Sequence, residues 1–134
     1  MSTGLSTAFA ALILGALETG TASLASKWIQ LHTGDPGASG TTFVSDEDTR
    51  KEIEWGTPAD GAVAVTNSPE WTGWSAGAEV LNYLSVWSTI TAGLFRFSAA
   101  LSTPRSVNDG DTVRLNSLTF AFVPIAADEE SSSA

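Results

Sequence analysis

The stretch Lys27-Trp28-Ile29-Gln30-Leu31-His32-Thr33-Gly34-Asp35-Pro36-Gly37 constrains the fold most, because an alternating run ends there abruptly in a turn. From Trp28 to Thr33, side chains 28, 30 and 32 point one way and 29, 31 and 33 the other, the two-residue period of a strand. Gly34-Asp35-Pro36-Gly37 stops it, since proline has no N–H for a ladder and glycine accepts a positive φ. The residues ahead of this strand read as helical, and those beyond the turn read as a succession of strands.

A length of 134 residues suits one domain with a real core. Hydrophobic residues form 43% of the chain and charged residues 16%, a balance that favours folding over global disorder. Six Lys plus Arg against fifteen Asp plus Glu give a formal charge of −9, which repels a nucleic-acid backbone. Direct nucleic-acid binding is therefore not expected. The absence of cysteine removes disulfides and thiolate chemistry, leaving packing as the source of stability.

The apolar run Ala8 to Leu17 resembles a signal-peptide core or a membrane span only at first sight. No Lys or Arg stands in residues 1 to 7, and Gly15, Glu18 and Thr19 arrive before a span is complete. A retained helix over about residues 5–18 is the expectation, without membrane insertion. Ser6 or Thr3 can cap it, and Gly20 can end it. Leu5, Phe9, Leu12, Ile13 and Ala16 recur at helical spacing, and Leu14 and Leu17 widen the apolar surface. Leu5, Phe9, Leu12 and Ile13 are accordingly candidates for a subunit interface as well as for covering a sheet.

Residues 38 to 49 read as a long loop. Asp46-Glu47-Asp48 lacks the alternating ligands and glycine of a calcium loop, so it reads as a solvated acidic face. Strand patterns recur at 50–55, with Ile53 and Trp55 on the apolar side, and at 62–66, with Val63 and Val65 sharing a face. Val80 to Ser88 has apolar residues on both faces and is expected to be a central strand. A Gly-containing loop joins it to 94–100, where Phe95 and Phe97 are expected inward and Arg96 and Ser98 outward. Ser102-Thr103-Pro104 reads as a break, and Asn108-Asp109-Gly110-Asp111 as a turn that needs no ion. Short strands at 112–115 and 118–122 complete the series. Residues 126–134, with Asp128-Glu129-Glu130 and three serines, read as an acidic flexible tail beyond a single domain over 1–125.

The pattern is mainly β: an antiparallel β-sandwich, jelly-roll-like, of six to seven short strands with one N-terminal α-helix. Trp71-Thr72-Gly73-Trp74 suggests core or interface, with a sugar-stacking platform as the alternative for Trp71 and Trp74. His32, the only histidine, lies mid-strand without a matched nucleophile in sequence and reads as structural. No catalytic, cofactor-binding or metal-binding constellation is evident.

Leu31-His32-Thr33-Gly34-Asp35-Pro36-Gly37, after a short helix and before a Gly/Thr loop, resembles a family of small virion structural proteins of tailed bacteriophages. The likeness extends to Arg50-Lys51-Glu52-Ile53 with Trp55-Gly56, to Tyr83 through Ser88, and to Ala100 through Pro104 before Asp109-Gly110-Asp111-Thr112. The loop Ser45 to Asp48 is more acidic than the family's usual one, and residues 126–134 extend past its usual end. The resemblance implies a multi-copy, non-enzymatic building block of the virion, assembled in the host cytoplasm, on the tail fibre or tip or on the outer capsid as decoration. Its implied partners are itself, as a homo-oligomer, and other virion proteins. A carbohydrate-binding module that contacts a host surface glycan is the alternative.

Overall fold

The structure, a computed structural model, describes residues 4–21 and 24–121. Among the described residues nine strands and one helix come in the order β1 (Gly4–Leu5), α1 (Thr7–Thr19), β2 (Trp28–His32), β3 (Lys51–Glu52), β4 (Ala62–Ala64), β5 (Glu70–Trp71), β6 (Glu79–Trp87), β7 (Phe95–Val107), β8 (Val113–Arg114) and β9 (Thr119–Ala121). Five of the strands form an antiparallel sheet in the order β1-β7-β6-β2-β3, and β4-β9 and β5-β8 form two small ribbons. The mainly β architecture expected from the alternating runs is present, in more strands than the sequence suggested, several of them only two or three residues long.

β6 is the centre of the large sheet, paired with β2 on one edge and β7 on the other. The register sets Ile29 opposite Val86 and Leu31 opposite Leu84, and it continues from Val86 to Phe97 and from Leu84 to Ala99. Pleating sends all of these to one face, which is the main core. Ile53, Trp71, Trp74, Leu81 and Val107 join the same buried cluster, and Val65, Val113, Leu115, Leu118 and Phe120 pack against it. The small ribbons thus cover the apolar face of the large sheet in a sandwich-like arrangement. Phe97 anchors it between Phe9 of α1, ring centroids 6.2 Å apart, and Phe120, 5.2 Å away edge-on.

Of the two capping candidates Ser6 caps α1: its hydroxyl accepts the Phe9 N–H at 3.0 Å and donates to the Phe95 carbonyl at 2.8 Å. One side chain therefore both starts the helix and fixes it to β7. Gly20 ends α1 in the left-handed conformation, its N–H returning to Ala16 O. Only Phe9 of the helix is fully buried; Leu12, Ile13 and Ala16 are half-buried, and Leu14 and Leu17 remain 64% and 82% exposed.

Several expectations are corrected. Ser102-Thr103-Pro104 does not break the chain; β7 runs through it for 13 residues. The register jumps there, from Tyr83 opposite Ala100 to Leu81 opposite Arg105, so three surplus residues bulge from the ladder and Pro104 forfeits no pairing bond. Arg96 and Ser98 are not outward. They are 3% and 4% exposed, because neighbouring parts of the chain cover this side of β7 as well. Arg96 donates from Nε to Ala25 O at 3.0 Å, with its guanidinium carbon 5.2 Å from the Phe9 ring centroid. The strand expected at 50–55 shrinks to Lys51–Glu52 plus a single bridge from Trp55 to Val65, and Glu70–Trp71 forms a strand that alternation alone does not reveal. The expected tail at 126–134 lies outside the described residues.

Removing a side chain from the centre of the apolar face leaves a cavity that neighbouring strands cannot fill. Leu84→Ala is expected to lower unfolding free energy by about 2–5 kcal/mol, read from denaturant midpoints at constant slope.

Candidate functional site

The face of the large sheet opposite the core carries Trp28, Gln30 and His32 from β2, Tyr83, Ser85 and Trp87 from β6, and Ser98 from β7. It is polar, yet Gln30, His32, Ser85 and Ser98 are all buried. The cover is the segment from Thr33 to Arg50. It turns at Gly34-Asp35-Pro36-Gly37, folds back so that Thr33 N–H reaches Phe43 O at 2.8 Å, and forms a bridge between Val44 and His32. The Asp35 carboxylate accepts the Gly37 N–H at 2.9 Å, the Asx-type turn that this sequence favours. Gly40 lies beneath the Phe95 ring with φ +75°; a Cβ there would stand 2.5 Å from the ring, so only glycine fits.

At the centre is a chain of hydrogen bonds. Trp87 Nε1–H donates to Ser85 Oγ at 2.7 Å, and Ser85 Oγ lies 2.7 Å from His32 Nε2. His32 Nδ1 is 2.9 Å from the Thr42 carbonyl oxygen, which can only accept, so Nδ1 carries the proton. In the neutral ring Nε2 then accepts from the Ser85 hydroxyl, and every donor finds one acceptor. Protonating Nε2 would set two N–H donors on Ser85 Oγ and displace its hydroxyl proton. Burial also pushes the imidazole below its ordinary value of 6.5, with Arg50 adding to the effect against the pull of the Thr42 and Phe43 carbonyls.

A serine hydroxyl on an imidazole is the arrangement of a nucleophile and its base. Here both residues are 0% exposed, the hydroxyl is engaged by an indole N–H, and the imidazole is oriented by a backbone carbonyl. Ser85 Oγ lies beneath the covering loop and out of contact with solvent in this structure, and the geometry describes a lock between loop and sheet. Arg50 closes the adjoining edge. Its Nη1 donates to Thr89 O at 2.8 Å and Ala92 O at 2.7 Å, while its guanidinium carbon lies 4.1 Å from the Trp87 ring centroid.

Trp71 and Trp74 are 2% and 1% exposed. Their indole N–H groups donate to Thr49 O and Gly77 O, each at 2.8 Å, so each ring is core with its polar edge satisfied. Neither offers a face to a sugar in this structure. Of the four residues considered for a subunit interface, Phe9 is enclosed by its own chain, Leu12 and Ile13 are half-buried, and Leu5 is 42% exposed. The acidic loop is held by Glu79, which accepts from Ser45 Oγ at 2.6 Å and from Asp46 N–H at 3.0 Å. Asp111 accepts from Asn108 N–H at 2.8 Å, closing its turn. Among the described residues no group of three or more His, Asp or Glu side chains is close enough to hold a metal.

Ser85 is the residue that sequence reading does not find. Its one signal is a small polar residue between Leu84 and Val86 at the middle of a doubly apolar strand; nothing local names its partner, 53 residues away.

Comparison with known proteins gives a family-level match. Residues 4–122 match the family model described as podophage GP4 fiber I protein gp80. No curated protein matches the chain.

The lock has two measurable consequences. Ser85→Ala leaves both the Trp87 N–H and His32 Nε2 without a partner and is expected to cost about 1–3 kcal/mol of stability by chemical denaturation. As pH falls through 6.5 the unfolded chain takes up a proton on His32 that the folded chain refuses, so stability is full above that value and declines toward the lowered folded one. Denaturation between about pH 7.5 and about pH 5 should give a decline that His32→Gln flattens.

Proposed function

We propose, since this chain belongs to the podophage GP4 fiber I protein gp80 family and is thereby a structural component of a phage virion, that it is a repeated, non-enzymatic unit of the tail fibre rather than a capsid decoration. The observation that carries this reading is the extent of the family match, which takes in the helix, the large sheet and both ribbons. A sealed His32–Ser85 pair and a polar face hidden under its own loop support a unit that acts through its surface.

The surface that supports self-association is α1. Residues 4 to 17 carry no charge, on a chain whose formal charge is −9. Two copies of such an acidic protein repel one another over most approaches, and a face whose one charge is Glu18, at the C-terminal end of α1, is where contact meets least resistance. Ala8, Ala11, Leu14 and Leu17 are exposed along it. Of the four candidate interface residues, Leu5 belongs with this surface and Phe9 with the interior. A helix of 13 residues is about 20 Å long, too little for a tight interface by itself, so repetition of the contact along a fibre supplies the avidity.

Mass spectrometry of separated heads and tails from purified particles tests the location: recovery with tails is expected, and recovery with heads would overturn the fibre assignment. Leu14→Glu with Leu17→Glu is expected to shift the isolated protein toward monomer in light scattering while its circular dichroism stays unchanged. An unaltered mass distribution would remove α1 from the interface.

A further inference from the structure

The chain has two Asp-Gly steps, Asp60-Gly61 and Asp109-Gly110. Aspartate before glycine is a reactive pair: the glycine nitrogen can attack the side-chain carboxyl of its neighbour, and a residue without Cβ does not hinder the approach. The two steps stand in opposite surroundings.

At Asp109 both reacting groups are engaged. Its Oδ1 accepts the Gly77 N–H at 2.9 Å, and the Gly110 N–H donates to Trp74 O at 2.7 Å. Asp111 N–H returns to Asn108 O at 3.0 Å and closes the turn around them. Attack there waits for local opening. Asp60 and Gly61 instead form the centre of a two-residue hairpin turn, with φ +53° and +81°. Ala59 and Ala62 flank it and exchange N–H···O bonds of 2.9 Å in both directions. The bonds that define this turn thus belong to its flanks. Asp60 and Gly61 are both exposed, and among the described residues no hydrogen bond or ion pair holds the Asp60 carboxylate or the Gly61 N–H.

We propose that Asp60 is a site of spontaneous isomerisation to isoaspartate in the folded protein, and that the fold protects Asp109. The Gly61 nitrogen gives its proton to solvent and bonds to Asp60 Cγ, and one carboxyl oxygen departs as water, leaving a five-membered succinimide. Water then adds to the ring at the Asp60 main-chain carbonyl carbon, whose bond to the Gly61 nitrogen breaks as that nitrogen regains a proton. The water lost is the water regained, and the main chain now runs through the side-chain methylene, one carbon longer. That carbon falls in the turn that leads into β4, the strand that pairs with β9 and so holds Phe120 against Phe97. The modified chain loosens first in this ribbon. The inference is independent of the fibre reading.

Incubation of the full chain in heavy-oxygen water, folded or in urea, tests it, with tryptic mapping by electron-transfer mass spectrometry to tell isoaspartate from aspartate. Cleavage after Arg and Lys puts the two sites in different peptides, 52–96 and 106–114. In the folded protein, isoaspartate carrying a heavy oxygen is expected to accumulate about tenfold faster at Asp60 than at Asp109, and the difference should vanish in urea. Asp60→Glu, which would have to close a larger ring, should abolish the product in its peptide while circular dichroism stays unchanged. Equal rates at the two sites in the folded protein would overturn the proposal, as would an Asp60 that reacts only in urea. Faster amide exchange at Ala59 and Ala62 is expected in the modified fraction, and unchanged exchange would overturn the loosening of the ribbon.

Discussion

The two-sided pairing of β6 is the constraint on which the rest of the structure depends. Because β2 and β7 both read their register from it, Leu84 and Val86 collect Ile29, Leu31, Phe97 and Ala99 on one face, and Ser85 and Trp87 collect Gln30, His32 and Ser98 on the other. A one-residue slip would exchange the two faces and put the polar set into the core. The apolar face drives burial. The polar face needs satisfied hydrogen bonds, and the loop from Thr33 to Arg50 supplies them.

That division explains which features are legible in the sequence and which are not. Alternation marks β2 and β6, the Ser6 cap and Gly20 stop mark α1, and Asp35, Pro36 and Gly37 mark the turn, because each of these signals is local. Arg96 and Ser98 depart from expectation for a related reason. Alternation separates two faces but is silent on whether a distant loop covers the second one. Pro104 departs from it because a bulge excuses a proline from the ladder, and only the partner strand reveals the bulge. Trp71 and Trp74 are conspicuous as a pair, and their burial depends on Thr49 and Gly77 carbonyls that meet the indole N–H groups. The partnership of His32 with Ser85 is a matter of register between strands and has no trace in either one alone.

For a member of a phage fibre family, this economy has a functional sense. The chain's only histidine, a serine in contact with it, and a tryptophan are all turned inward and used to hold a loop, while the outer surface combines an acidic field with a helix whose one charged residue is Glu18.

The central claim is that His32 is a neutral structural clamp whose proton sits on Nδ1, and long-range proton–nitrogen correlation spectra of the imidazole test it most directly. The account predicts the Nδ1–H tautomer, unprotonated at Nε2, persisting as the pH is lowered past 6.5 while the protein stays folded. An Nε2–H tautomer, or a ring that titrates in the folded protein at the ordinary value, would contradict it.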